Sequence, residues 1–386
     1  MDKASPQKRI LFLNRTFPPH VGATGRVACD LALYLRKQGH IITVISTAAG
    51  DTTDHAKNMT VIRVSAPQKP EGIMTYMRIS RCMEKAAKSL PPHDIVISMT
   101  DPPLLGVNGH RVAKRMKAKH IHWIMDLYPD LLPALGRQVH PFLYKIAHYK
   151  MQMMMKKADL VVPISNCMAR YLSHHAVARN HMKVIENWPN KYLLEEADDN
   201  QSLLDDSKFR ILYAGTIGLA HEFDTVLSAA KYFQKTDQDI EFIFTARGRG
   251  YPILEKKVKE KGLKNIRFFT SQPSKKLNAL LNAGDLHLVT LKKMAAGKLF
   301  PSKFYSACAA GRPILYVGPT SCDIHRKITQ HHCGATIRNG EGRLLINAIE
   351  NYKNNPEDWF AACQNASSIL DDHRPLEQWG ELINSV

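Results

Sequence analysis

The feature that most constrains this chain is a rhythm that runs, lapses and starts again. Short apolar runs stand at residues 10–13, 41–45, 61–64, 95–98, 121–125 and 160–164. They are rich in Ile, Val and Leu without alternation, as strands buried on both faces are. Helical stretches fit between them. Residues 21–38 carry Val27, Leu31 and Leu35 at helical spacing and end at Gly39, where a helix C-terminal glycine belongs. Residues 106–117 and 142–157 read the same way. At 186–207 the rhythm gives way to ENWPNKYLLEEADDNQSLLDDS, an acidic, Asn-rich stretch with Pro189. Such composition marks a linker. Strands then resume at 210–213, 242–245, 266–269, 286–290 and 314–317, with helices at 223–231, 254–261, 275–282 and 302–310. Strand–helix alternation predicts a doubly wound parallel sheet. Two such blocks in 386 residues predict an α/β protein of two Rossmann-like domains facing a central cleft. The expected boundaries are 1–188, a linker at 189–207, 208–370, and a last helix in 371–386.

Charge and cysteine usage limit the partners. The chain has 53 Lys and Arg against 35 Asp and Glu, a formal charge of +18. That surface attracts anions: phosphorylated substrates, anionic lipid or nucleic acid. Nucleic acid ranks last, because the basic residues are spread and no basic–aromatic cluster appears. The seven cysteines are odd in number and include no C-x-x-C, which reads as reduced, buried thiols. The first apolar run is too short for a signal peptide, and none approaches the ~18 residues of a membrane span. A cytoplasmic protein is expected, with peripheral contact to the inner face of the membrane as a further option. Basic amphipathic stretches at 104–119 and 149–157 could dock on anionic lipid. The plainer reading of each is a core-facing helix with a solvated basic face.

Five stretches carry chemistry. Tyr213-Ala214-Gly215-Thr216-Ile217-Gly218 links a strand to a helix, and its glycines let backbone N–H groups approach an anion. Thr245-Ala246-Arg247-Gly248-Arg249-Gly250 repeats that design with two guanidinium groups suited to a diphosphate. Lys298 to Gly311 is the strongest: Pro301 and Ser302 suit a helix start, and Lys298 and Lys303 flank its partly positive tip. Phe17 to Gly25 forms a glycine loop in the first half, able to hold an acceptor or close over phosphates. Trp123 to Asp130 ends a strand with Asp126, Tyr128 and Asp130, carboxylates placed to orient hydroxyls or act as base. Each also has a bland reading as a turn or cap. His174-His175 and His331-His332 read as surface pairs, so no metal site is expected.

These stretches, taken together and in order, resemble GT-B-fold glycosyltransferases of family 4. The resemblance rests on FPPHVGATGRVACDLALYLRKQGHIITVIS, YAGTIGLAHEFDTVL and LFPSKFYSACAAGRPILYVG, the last close to a PSK-Y…AAGRP branch. DLYPDLLPALG recurs in that branch, which often builds lipid-linked polysaccharide precursors. The likeness covers nearly the whole chain. It implies a nucleoside diphosphate sugar held by the second domain, retention of anomeric configuration and no metal or other cofactor. It also implies a last helix that packs back on the first domain. By position, Gly22, Gly215, Thr216, Gly218, Arg247, Arg249, Lys298, Ser302 and Lys303 would contact the donor. Asp126, Asp130 and Lys303 would be catalytic. His221, Glu222 and Tyr128 are further candidates for donor or acceptor contact. Most of the family carries two glutamates eight apart, at whose places this chain has Lys298 and Ser306.

The expected activity is transfer of a hexose or N-acetylhexosamine, from a UDP-sugar first, to a glycan or polyprenyl-linked acceptor. Rival readings are a UDP-N-acetylglucosamine 2-epimerase-like enzyme of the same architecture and, in another class, a non-catalytic nucleic-acid-binding protein.

Overall fold

The computed structural model describes residues 6–19, 22–67, 72–175, 177–190, 208–245, 247–269 and 274–386. The linker reading beyond Asn190 lies outside these residues. So do His20 and Val21 of the first glycine loop, and Ala246.

The first half folds as β1 (Arg9–Leu13), α1 (Ala23–Lys37), β2 (Ile41–Ala48), β3 (Thr52–Ala56), β4 (Met59–Ser65), α2 (Gly72–Lys88), β5 (Ile95–Ser98), α3 (Leu105–Met116), β6 (Lys119–Ile124), α4 (Pro141–Lys157), β7 (Leu160–Pro163) and α5 (Asn166–His174). Its sheet has the order β3-β4-β2-β1-β5-β6-β7. All pairings are parallel except β3 with β4. Parallel strands covered by helices on both faces must be apolar throughout, and β5 is buried at every residue. α1 buries Val27, Leu31 and Leu35, the stripe visible in the sequence. β3, TTDHA, has no apolar rhythm to announce it. All five of its residues are exposed, and Asp54 pairs with Arg63 of β4. A polar edge strand of this kind resists pairing with another chain.

The second half contains β8 (Phe209–Tyr213), α6 (Asp224–Thr236), β9 (Ile240–Thr245), α7 (Tyr251–Glu260), β10 (Ile266–Phe269), α8 (Ser274–Asn282), β11 (Leu286–Thr290), α9 (Lys303–Ala309), β12 (Ile314–Val317), α10 (Asp323–His331), β13 (Gly334–Ile337), α11 (Gly342–Asn354), α12 (Pro356–Ser368) and α13 (Pro375–Ser385). Its six parallel strands run β10-β9-β8-β11-β12-β13. Strand order therefore reverses direction between β1 and β5 in one sheet and between β8 and β11 in the other. Open α/β sheets bind ligands at the carboxyl ends of strands beside such a switch.

The two halves are joined by an apolar core and by specific polar contacts. Trp379 of α13 lies 4.9 Å from Trp123 of β6, ring centre to ring centre, and Trp188 stacks on Trp123 at 5.9 Å. Lys8 Nζ donates to the Ile383 carbonyl at 2.6 Å, so the last helix rests on the first domain. Truncating a fully buried tryptophan costs about 3–5 kcal/mol, which makes this triad a main fastening. Glu186 accepts from Tyr305 Oη at 2.9 Å and pairs with Lys327 at 2.9 Å. Among the described residues, no helix is long and apolar enough to cross a membrane.

The stretch at 104–119 takes the plainer of its two readings. α3 buries Leu105, Val112 and Ala113 among its neighbours, so its apolar side is not free to meet lipid.

Candidate active site

The second-domain wall of the cleft grows from the carboxyl ends of β8 and β9, which are neighbours. Gly215 takes φ +119°, a conformation other L-residues rarely adopt, and a Cβ there would come within 3.1 Å of Lys303 Cε. Gly248 takes φ +109°, and a Cβ would come within 2.5 Å of the Ile217 carbonyl oxygen. The two glycine turns thus lie against one another. Thr245 Oγ accepts from Gly215 N at 2.6 Å and donates to Gly215 O at 2.8 Å. Ile217 N donates to Arg247 O at 2.7 Å. The amides of Gly215 and Ile217 therefore serve the turns themselves, so the expectation that N–H groups here face an anion fails for these two. Lys303 lies against the turns, beside Gly215 and Thr216.

The Lys303 ammonium donates to Thr216 O at 3.1 Å and lies 4.7 Å from the centre of the Tyr213 ring. Burial, and then the neighbouring Arg247, push its pKa down to about 7. Arg247 Nε donates to Thr216 Oγ at 3.2 Å, and the exposed Arg247 and Arg249 line the same rim. Ser302 precedes α9 but forms no cap hydrogen bond, and α9 is only seven residues long. The expected anion site at a capped helix tip becomes an ammonium site with the Arg247 guanidinium beside it. Lys298 is also corrected. Its ammonium donates to Met294 O at 2.9 Å and lies over the Tyr171 ring of the first domain.

His221 and Glu222 acquire positions that the sequence does not give. His221 Nδ1 lies 2.6 Å from the Thr290 carbonyl, which can only accept, so Nδ1 carries the proton. Burial and then the Lys303 charge lower its pKa to about 3, leaving a neutral ring beside Gly218. Glu222 accepts from Thr225 N at 3.0 Å with one oxygen, satisfying the start of α6. Its other oxygen is buried without a hydrogen-bond partner.

The opposite wall is built at the carboxyl ends of β1, β5 and β6. Gly22 stands at the N-terminus of α1 in extended backbone, with Thr16 beside it. Arg15 pairs with Asp101 at 2.7 Å directly at the strand-order switch. Neither residue belongs to a recognised motif; their place just past β1 and β5 is the signal that could have found them. Asp126 follows β6, and its amide donates to Thr100 Oγ at 3.2 Å. Burial and then Asp101 raise its pKa to about 6. Tyr128, raised by burial and nearby acids, also feels Arg249 from the other domain. The walls touch where Asp126 bridges to Leu299 and Leu127 N donates to Lys298 O at 2.7 Å.

Asp130 does not join Asp126. Its carboxylate, 7% exposed, accepts from Tyr171 Oη at 3.0 Å and lies 3.1 Å from His148 Nδ1. It ties α4 to α5, a positioning task inside the domain. Among the described residues no group of three His, Cys, Asp or Glu side chains is placed to hold a metal ion.

Comparison with known proteins fits this geometry. The model of Glycosyltransferase Family 4 matches residues 24–190, and that of Glycosyl transferases group 1 matches 195–366. The chain is 26% identical over 334 residues to the putative colanic acid biosynthesis glycosyl transferase WcaI of Escherichia coli, covering 78% of this chain and 81% of that protein. Among solved structures it resembles sucrose-phosphate synthase of Thermosynechococcus elongatus, with a TM-score of 0.79 at 14% identity and 98% and 99% coverage. It also resembles HepE of Anabaena in complex with UDP and glucose, with a TM-score of 0.74 at 16% identity and 98% and 100% coverage. Two parallel α/β domains, a cleft between their strand ends and family matches over both halves lead to one conclusion: this chain belongs to the family 4 glycosyltransferases of GT-B fold.

Proposed function

We propose that the enzyme takes a sugar from a nucleoside diphosphate sugar, UDP-linked first among them, and transfers it with retention to a glycan or polyprenyl-linked acceptor in surface polysaccharide assembly. Lys303 carries this reading. It is a partly buried ammonium with no carboxylate raising its pKa among the described residues, set beside Arg247 at the strand ends. A cation in that state is completed by an anion, and a diphosphate has the charge and the span to meet both groups. The UDP bound by HepE and the polysaccharide role printed for WcaI support the substrate class.

In this scheme Lys303 and Arg247 stabilise charge on the leaving diphosphate as the glycosidic bond breaks. Arg249 adds to them from the rim. The acceptor hydroxyl approaches the face the diphosphate leaves, and Asp126 accepts its proton or positions it. The scheme uses no metal ion. The transferred unit is a hexose or N-acetylhexosamine. The outer face of α4 suits an anionic bilayer on the inner side of the cell membrane, where a lipid-linked acceptor would be met. Phe142, Leu143 and Tyr149 are 64%, 50% and 63% exposed there, among Lys145, Lys150, Lys156 and Lys157, and α4 contains no acid.

Thermal unfolding in the presence of UDP, GDP and TDP tests the donor class. A ligand that binds only the folded state raises the midpoint, and UDP is expected to raise it most. If no nucleoside diphosphate moves the midpoint at millimolar concentration, the reading fails. A new sugar epimer formed from UDP-N-acetylglucosamine alone would favour an epimerase instead.

A further inference from the structure

Two thiols lie near one another across the domain junction. Cys167 is the second residue of α5, on the first domain. Cys322 immediately precedes α10, on the second. The backbone holds them there. The Cys167 amide donates to Asp323 Oδ2 at 2.9 Å, and Asp323 is fully buried. Asp323 also accepts from Arg326 at 2.6 Å, so the α5 terminus is fastened to the start of α10. Gly297 closes the third side, where an added Cβ would come within 3.0 Å of the Cys167 carbonyl. With both chains fixed, the two thiols are close enough that each shifts the ionisation of the other. Ser165, which caps α5, puts its hydroxyl 3.3 Å from Cys167 Sγ.

The pair is buried but not sealed. Cys322 lines an open cavity of about 450 Å³, together with Arg170, His325 and Arg326. That cavity gives a small polar oxidant a path to the Cys322 side of the pair. Cys308 and Cys333 offer the contrast: they lie near one another and are 0% exposed.

We propose that Cys167 and Cys322 are an oxidation site, at which a hydroperoxide converts the thiol pair to an interdomain disulfide that fixes the two domains relative to one another. The thiolate of the pair attacks a peroxide oxygen, the O–O bond breaks and the departing oxygen leaves as water after taking a proton. The second sulfur attacks the resulting sulfenic acid. An S–S bond forms, the S–O bond breaks and a second water leaves. The pair loses two electrons and two protons, and hydrogen peroxide is reduced to two waters. Transfer within a cleft between two domains needs the domains to move, so a covalent staple across the junction slows turnover. The neighbouring Cys322 lowers the Cys167 pKa, in accord with this assignment.

The experiment uses the full chain, treated with hydrogen peroxide and then digested without reduction. Mass spectrometry is expected to find the Cys167–Cys322 peptide pair, reversed by dithiothreitol and absent in Cys167→Ser and Cys322→Ser. Cys308 and Cys333 are expected to stay reduced. The cross-link spans a long loop, so the oxidised protein should unfold at least about 3 °C higher than the reduced one. This readout needs no sugar substrate and stands apart from the donor assignment. The inference is overturned if peroxide oxidises Cys82 while Cys167 and Cys322 are recovered as free thiols. It is equally overturned if the cross-link forms with the midpoint moved by less than about 1 °C.

Discussion

The two walls of the cleft are built at equivalent places in two similar sheets, and burial acts on them with opposite signs. On the first-domain wall it raises the carboxyl of Asp126 to about 6 and the phenol of Tyr128 further above its ordinary value. On the second-domain wall it lowers the ammonium of Lys303 to about 7 and the imidazole of His221 to about 3. Each wall is pushed towards its neutral form. The difference lies in what surrounds the group. Arg15 on the first wall is committed to Asp101 at 2.7 Å, whereas Arg247 and Arg249 on the second are exposed. One wall has positive charge to offer a diphosphate, and the other offers a carboxyl to a neutral hydroxyl. Similar folds thus differ at the cleft through local charge balance, the difference on which the proposed donor and acceptor sides rest.

The sharpest way to break this division is Lys303→Met. It removes the charge while keeping the length and apolar stem. Turnover with the natural donor should fall about 10²–10³-fold, the scale seen when a transition-state charge loses a preorganised donor. Stability of the free protein should not fall. A lysine whose folded pKa lies below its unfolded value disfavours folding at any pH below the unfolded value, and removing it removes that cost. Turnover within threefold of the wild type would mean the diphosphate is held elsewhere.

The next largest effect concerns pH. For the free enzyme, kcat/KM should rise with pH as Asp126 deprotonates near 6 and fall as Lys303 deprotonates near 7, giving a narrow maximum. Asp126→Asn should cost about tenfold to a hundredfold and erase the acid limb alone. An unchanged acid limb in that variant would remove Asp126 from the reaction. Bound diphosphate should draw Lys303 back towards its ordinary value. Calorimetry at pH 8 should therefore find proton uptake on UDP binding.

Much of this was readable from residues, and the failures have physical causes. Paired runs such as ILFL and IVIS are legible because a strand buried on both faces has no choice but to be apolar. β3 was not, because an exposed edge strand is selected for polarity rather than burial. The glycine turns were found, but the sequence cannot say where an amide points. Gly215 N turns to Thr245, a partner 30 residues away. Spacing alone also treats Asp126 and Asp130 as equals. Only the fold shows one at the cleft and the other drawn inward by Tyr171 and His148, which come from later helices. Arg15 and Asp101 went unseen because an ion pair across 86 residues leaves no local pattern.

The smallest expected effect gives the finest test, because it compares two lysines five residues apart. Lys298 and Lys303 have the same charge and flank the same segment, and by sequence both are donor ligands. In the fold, Lys298 reaches back to Met294 O at 2.9 Å and over the Tyr171 ring, while Lys303 faces Arg247 and Thr216. Lys298→Ala loses a solvent-facing hydrogen bond and a cation–π contact worth about 0.5–1 kcal/mol at an exposed site. It should leave kcat/KM within about threefold and the pH maximum in place, because a change of that size in local packing leaves the diphosphate contacts alone. A loss as large as that of Lys303→Met would mean that the segment 297–303 turns over when donor binds, carrying Lys298 into the cleft. The division between the walls would then depend on a moving segment rather than on fixed charge.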